Sequence, residues 1–401
     1  MSRRFTVIGA GLVGLATAFE LTELDEGCSV VVMDPSPLSG ASYHAAGMLA
    51  PAAEMQYQQD ALLPLMRQSA VWYPSLVRRV ARAAGGDADD PRVTGFRRDG
   101  TYVVAVDSAD RLHLEQTRDY QASFGMAANR VSVRELRTAE PALSPQLSGA
   151  VYIPGDHQVD PRVFGRLLME ALRNREVEWV NRAAVPADMG AGCRGRATTV
   201  VANGVGAADF FPYLQLRSVW GDILRLRVPS ELDPLVTSVI RGYVRGRPVY
   251  LVPRVDGGLV LGATSREDDR DAPLAGGVLD LLRDAATMCP GIRECSVEGV
   301  TAGARPGTPD DCPYIGLDHA TGAVVSTGYS RHGIVLTAMG ARVGAALAVA
   351  SAGGGLDDVT GADMVRRLDC SDELLARADD DDPPELTVRD IVSVTDIYRD
   401  A

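Results

Sequence analysis

The sequence predicts an α/β domain assembled from separated segments, with a largely antiparallel sheet inserted between them. Three observations carry that expectation. The chain opens on a strand, a glycine turn, a helix and a second strand between Phe5 and Asp34. Four short apolar runs later follow one another between Asp222 and Gly262 with turn residues and no helix between them, the pattern of an antiparallel sheet. Two further runs, Ala197 to Ala202 and Ala323 to Thr327, are apolar nearly throughout, as strands buried on both faces tend to be.

In the opening stretch Thr6-Val7-Ile8 reads as a buried strand. Gly9, Gly11 and Gly14 follow at G-x-G-x-x-G spacing, and Leu12 to Leu24 take up a helical apolar pattern. Each part has a physical role in holding a dinucleotide. Gly9 permits the turn, Gly11 lets the backbone approach a pyrophosphate, and Gly14 lets the helix pack close to the sheet with its N-terminal N–H groups facing the negative charge. Asp34 closes the second strand, Ser29 to Met33, where it can accept hydrogen bonds from ribose hydroxyls. The first domain is therefore expected to be Rossmann-like.

Further along, Ala41 to Leu49 is a run of small residues that suits either close approach by a flat ligand or tight helix packing. Glu54 to Ala84 has apolar residues at helical spacing, and Gly85 to Pro91 reads as a domain boundary. Phe96 to Val106 reads as a hairpin around Asp99-Gly100. Asp160-Pro161 reads as an N-cap followed by proline at the first helical position. The helix Val278 to Met288 is expected to cap the inserted sheet, and Ile334 to Ala350 to pack on the first one. The resulting division is a discontinuous first domain (1–90, 150–215 and 298–352), an inserted domain (91–149 and 216–297) and a tail (353–401).

The 401 residues carry a net charge of −13, which argues against nucleic acid and anionic membranes as partners. Much of that charge lies in the tail, where Asp357 to Asp400 hold fourteen acidic residues against five arginines. Such a segment is expected to be peripheral. No apolar run is long enough to span a bilayer, and Met1 to Arg4 lead straight into a strand, so the protein is expected in the cytoplasm. The six cysteines show no C-x-x-C spacing, and no metal site is expected. All forty basic residues are arginine. Without lysine there is no Schiff-base or P-loop chemistry, so reactivity must come from a bound cofactor or from other side chains.

Four stretches in order carry a family resemblance. They are Ala45-Ala46-Gly47-Met48-Leu49; Tyr250-Leu251-Val252-Pro253-Arg254 with Gly262-Ala263-Thr264; Ala302-Gly303-Ala304-Arg305-Pro306-Gly307-Thr308 with Pro313-Tyr314-Ile315-Gly316; and Gly328-Tyr329-Ser330-Arg331-His332-Gly333-Ile334. Over roughly residues 4 to 350 they resemble the glycine oxidases of thiazole (thiamin) biosynthesis, members of the D-amino-acid-oxidase-like FAD family.

The resemblance implies a non-covalently bound FAD. On the opening motif its contacts would be Gly9, Gly11, Leu12, Val13, Gly14, Asp34 and Pro35. The small-residue run would add Ala41, Ser42, Ala46, Gly47 and Met48, with Val185 near the adenosine and Gly204 beyond it. Ser330, Arg331, His332, Gly333 and Ile334 would turn backbone N–H groups toward the flavin's pyrimidine side, as a helix N-terminus does toward negative charge. The resemblance also implies that Arg305 pairs with a substrate carboxylate, with the Tyr250 hydroxyl beside it and Arg331 lining the pocket. Cys312 lies in the region where related enzymes attach flavin covalently, but the linking position falls nearer Ala304 and Arg305. Ser265 stands where the family has a methionine, making the pocket more polar.

The expected activity is oxidation of glycine, or of a small D-amino acid or sarcosine, to the imine, with dioxygen reduced to hydrogen peroxide. The implied partners are the small substrate and dioxygen, and self-association into a homo-oligomer stays open. So do two alternatives: an oxidase of a different amino acid or amine, and a non-catalytic flavoprotein acting through its tail.

Overall fold

Two sheets set the architecture, and the computed structural model shows how the chain passes between them. It describes residues 3–57, 59–189, 197–318 and 320–353, together with two short strands of the tail. The first sheet has six strands, with Arg4–Ile8 parallel to Ala197–Val201 on one side and to Ser29–Met33 on the other. Ala323–Thr327 extends it in parallel, Tyr314–Asp318 closes that edge antiparallel, and Glu178–Val180 forms the opposite edge. The helix Leu12–Leu24 is apolar on most sides, and Thr337–Gly353 is rich in alanine and glycine. Neither presents a polar stripe to water, so both are buried in one core with Phe5, Val7, Val200 and Val324.

The second sheet has eight strands in the order Ser296–Gly307, Arg217–Arg227, Gly258–Gly262, Arg247–Pro253, Val239–Val244, Thr101–Ala105, Gly149–Ile153 and Asn129–Val131. It is antiparallel except between Val239–Val244 and Thr101–Ala105. Because successive strand residues point to opposite faces, it has two different surfaces. Leu224, Leu226, Leu251, Leu259 and Leu261 pack with Leu281, Ala285 and Met288 of the helix Ala275–Met288. Ile223, Val252 and Val260 lie on the other face and pack against Ala46, Met48 and Ala50. A small sheet, with His157–Val159 between Met48–Leu49 and Phe96–Arg97, joins the two halves.

Several elements differ from the sequence reading. Phe96 to Val106 is not a hairpin: Phe96–Arg97 pairs with His157–Val159, while Thr101–Ala105 joins the eight-stranded sheet. Gly100 does adopt the positive φ of 72° that a turn glycine supplies. A turn dipeptide fixes a local reversal, however, not the sheet each flank enters. The long helix starts at Leu63 rather than Glu54, with a proline in its first turn, and residues 51–54 form a turn of their own. The boundaries expected at 150 and 298 fall inside Gly149–Ile153 and Ser296–Gly307, both strands of the eight-stranded sheet. Pairing across such sequence distances is decided by the partner strand, which local composition does not reveal. In the tail, Arg367–Asp369 pairs antiparallel with Ser393–Thr395, so part of it does form structure. The rest of the tail expected at 353–401 lies outside the described residues. Among the described residues, no helix is long and apolar enough to cross a membrane.

The helix Pro161–Asn174 begins as the sequence predicts. The Asp160 carboxylate accepts hydrogen bonds from the N–H groups of Arg162 at 2.8 Å and Val163 at 3.2 Å, and it also pairs with Arg254 at 3.2 Å. Asp160→Ala removes the cap and leaves Arg254 without its carboxylate. The unfolding free energy, measured by urea titration, should fall by about 1–2 kcal/mol from the cap alone.

Candidate active site

A cavity of about 530 Å³ runs from the glycine turn of the first sheet to Arg305 on the second. At its first end Gly9 has φ +103°, and a Cβ there would run into the backbone of Ala202 and Asn203. Gly14 does not line the cavity. Its contribution is the missing Cβ, which would overlap the Gly9 carbonyl oxygen and push the helix off the turn. The Ser42 hydroxyl accepts the Leu12 N–H at 3.0 Å, tying the small-residue segment to the helix start. The Val13 and Gly14 N–H groups, in the first turn, have no acceptor within the helix, which leaves them for an anion. Asp34 lines the cavity, and its carboxylate braces the turn, accepting the Ala10 and Ser36 N–H groups at 2.7 Å each. Pro35, Ala41, Ala46, Met48 and Gly204 line the same space.

The middle of the wall is the segment from Tyr43 to Met48. Gly47 holds φ +88°, where a Cβ would collide with the Val159 carbonyl oxygen, so it shapes the wall rather than lining it. Arginines from other segments grip its carbonyls. Arg162 and Arg225 donate to the Tyr43 oxygen at 3.1 and 2.9 Å, and Arg254 donates to Ala46. Burial and the neighbouring guanidiniums of Arg162 and Arg254 push Arg225 down to about 10.

At the far end the eight-stranded sheet presents its second face. Tyr250 pairs across the strands with both Arg241 and Gly262, and Gly303 pairs with Gly221, two residues from Arg305. Gly221 and Gly262 leave room for their neighbours: a Cβ at the first would strike the Arg305 guanidinium, and one at the second the Tyr250 hydroxyl. Arg305 forms no ion pair among the described residues; its guanidinium makes only long contacts of 3.4 Å with the Thr264 carbonyl. Desolvation weakens its hold on its proton, but an arginine keeps it throughout the working pH range. Burial pushes the Tyr250 phenol up, so it stays a neutral donor beside Arg305.

The sequence singled out neither Glu54 nor Arg241 for this site, yet both line the cavity. Arg241 donates to Glu54 Oε1 at 2.8 Å, and both side chains are buried. Although burial alone would raise it, the Glu54 carboxyl is held below its ordinary value by Arg241 and more weakly by Arg331. Asp156 braces the same turn by accepting the Ala52 and Ala53 N–H groups at 3.2 and 2.8 Å. The strand register could have found Arg241: residues directly opposite share a face, so the partner of a lining tyrosine also lines.

The last expected group is brought together in part. Ser330, Arg331, Gly333 and Ile334 line the cavity, with Arg331 exposed. The Ser330 N–H is spent on the Pro306 carbonyl and the His332 N–H on Tyr329, so neither can face a ligand. The regular helix begins only at Thr337. His332 lies behind the wall, fully buried, with both ring nitrogens unpartnered among the described residues. Burial pushes it down to about 4. Val185 is not brought in: its side chain is exposed, its N–H donates to Asp188, and Ala183 and Ala184 line the cavity instead. Ser265 lines it and Cys312 does not.

A dinucleotide bound at the glycine turn would thus reach toward an anion held at Arg305, the layout of an oxidoreductase acting on a small anionic molecule. Residues 4–347 match the family described as FAD dependent oxidoreductase (DAO). The chain belongs to that family, and FAD is its cofactor. It is 28% identical over 350 residues to the glycine oxidase of Bacillus subtilis, covering 82% of this chain and 88% of that one. It is 27% identical over 349 residues to the bifunctional protein ThiO/ThiG of Trichormus variabilis, covering 84% of this chain but only 51% of that protein. The chain therefore spans about half the length of that bifunctional relative. The crystal structure of glycine oxidase from Geobacillus kaustophilus superposes with a TM-score of 0.75 at 27% identity, covering 87% of this chain and 94% of that one.

Two outcomes follow from this geometry. His332 has a folded pKa of about 4 against an ordinary 6.5, so between those values only the unfolded chain takes up the proton. The part of the stability that rests on a neutral His332 is full above about pH 6.5 and should fall by about 3 kcal/mol as pH drops toward 4. The buried Asp156, whose carboxyl burial pushes up to about 7, acts in the opposite direction over the same range. Urea titrations over that range should show the native protein losing about 3 kcal/mol relative to His332→Leu, since the Asp156 contribution is common to both. Gly221→Ala should displace Arg305 and weaken acetate binding at least about 10-fold, read from the flavin spectrum, while the protein keeps its FAD.

Proposed function

We propose that the protein oxidises glycine or another small amino acid through non-covalently held FAD, with dioxygen as electron acceptor. The observation that carries this reading is Arg305, a cavity guanidinium with no carboxylate of its own among the described residues, beside the neutral Tyr250 phenol. A planar guanidinium takes a carboxylate through two parallel hydrogen bonds, and the phenol adds a third, which fixes the α-carbon in one place. Gly9, Gly11, Val13 and Asp34 would hold the nucleotide half, and Ala46, Met48, Gly333 and Ile334 the flavin half. No cysteine lines the cavity among the described residues, in keeping with a non-covalent cofactor. When bound, the flavin supplies the redox chemistry, taking a hydride from the α-carbon and passing the electrons to dioxygen as peroxide.

The residues of the chain do the rest. Arg305 and Tyr250 select the carboxylate, the apolar wall of Met48 and Ile223 excludes water, and the neutral amine is the form whose lone pair can follow the leaving hydride. Glycine is favoured by the relatives named glycine oxidase, and service to thiamine biosynthesis by the relative named as a putative thiamine biosynthesis oxidoreductase ThiO. The place of action is the cytoplasm. A bulkier amino acid or amine is the second reading, favoured by Ser265 in the cavity wall.

Anaerobic mixing of the purified yellow protein with glycine, sarcosine or D-alanine should bleach the flavin. Arg305→Leu should raise the concentration needed by about 100-fold or more. Absence of bleaching with all three would sink the amino-acid reading.

A further inference from the structure

We propose that Glu54 receives the substrate's amino group and stabilises the cation that develops on it, with Arg241 as its positioning partner. The inference rests on the amino-acid oxidase reading above and adds a residue to it. Arg241 occupies only one carboxylate oxygen of Glu54; the other accepts no hydrogen bond from the described residues, and the side chain lines the cavity. Glu54 makes no ion pair with Arg305, yet each is among the charges that bear on the same phenol of Tyr250. The cavity thus has a cationic side and an anionic side, the arrangement an α-amino acid would span, its carboxylate on Arg305 and its neutral amine donating an N–H to Glu54.

The chemistry gives the anionic side a role beyond binding. As the α C–H bond breaks, hydride leaves with both electrons to the oxidised cofactor, and the nitrogen lone pair forms the C=N bond. A neutral amine becomes an iminium cation. A fixed carboxylate accepting one N–H attracts that nitrogen more strongly at the transition state than in the ground state, which is how a charge accelerates a reaction. The carboxylate must stay ionised inside the protein, and Arg241 serves that purpose. The groups around Glu54 are Arg241, His332, Arg331 and the buried Asp156, with Tyr250 and Arg305 across the cavity. Burial holds His332 neutral, leaving Arg241 as the hydrogen-bonded cation.

The test uses the FAD-loaded protein and two variants. Glu54→Gln keeps the shape and removes the charge. It should lower the limiting rate of anaerobic flavin reduction by glycine about 100-fold. The Kd for acetate, which has the carboxylate but no amine, should stay within about 3-fold of the native value. Arg241→Gln should lower the rate at every pH, through the lost positioning of Glu54, and add a further loss on acidification that native protein lacks, as the unpaired Glu54 takes up a proton. A pH profile parallel to the native one overturns the role given to Arg241. A native rate in Glu54→Gln overturns the proposal. So does a parallel loss of acetate binding, which would make Glu54 a structural support. If native protein is bleached by none of glycine, sarcosine and D-alanine, the amino-acid reading fails and takes this inference with it.

Discussion

The two-sidedness of the eight-stranded sheet is the constraint on which the rest of the molecule depends. Its strands alternate between a leucine face sealed by the helix Ala275–Met288 and a face that carries arginine, tyrosine and glycine into the cavity. Arg241, Tyr250, Gly262 and Ile223 lie in one row across four strands. Their neighbours along the chain, Ile240, Leu251, Leu261 and Leu224, are buried on the opposite side. A slip of one residue in any of these pairings would drive a guanidinium or a phenol beneath the helix and turn a leucine toward ligand. Burial of the leucines therefore fixes the placement of the polar groups, although none of these four residues lines the cavity.

Within that face the arginines divide according to how their charge is met. A buried guanidinium without a partner is costly, and most are supplied with one. Arg241 has Glu54, and Arg254 has Asp160, the Gln158 side chain and a backbone carbonyl. Among the described residues Arg305 has only two long contacts with one carbonyl oxygen, and Gly221, diagonal to it on the neighbouring strand, keeps space open around it. The difference distinguishes arginines that hold the protein together from one left for a ligand. It is visible only once partners can be assigned, because all forty basic residues are arginine and composition cannot rank them.

The sequence made the first end of the cavity legible and the second end partly so. Gly9, Gly11 and Gly14 act within one turn, where spacing along the chain is spacing in space; the structure uses Gly9 and Gly14 for backbone reasons, and Gly11 lines the cavity. Arg305 and Tyr250 could be named only through the family's motifs, since they meet across strands some fifty residues apart. Glu54 was hidden inside an apparent helical pattern, because the apolar periodicity of the helix that starts at Leu63 blurs into the turn before it. Val185 and the helix-like role of Ser330 to Ile334 came from resemblance alone. There the local backbone decides otherwise, spending the Ser330 and His332 N–H groups inside the protein. The limits at 150 and 298 cut through strands for a related reason: a strand's sheet is chosen by its partner.

The segment from Tyr43 to Glu54 shows why the two halves act as one. It follows directly from the first sheet, yet its position is set by groups from the rest of the chain. Arg225 and Arg254 take the Tyr43 and Ala46 carbonyls, Asp156 takes the Ala52 and Ala53 N–H groups, and Gln121 donates to the Ala52 carbonyl at 2.8 Å. At its start Ser42 is tied to the helix that follows the glycine turn. One continuous stretch of backbone thus runs from the nucleotide end to Glu54, gripped from both sides. Reaction between a cofactor and a substrate held by different sheets demands sub-ångström control of their separation. A shared wall supplies that control better than either sheet alone, since any shift of one half must strain hydrogen bonds made by the other.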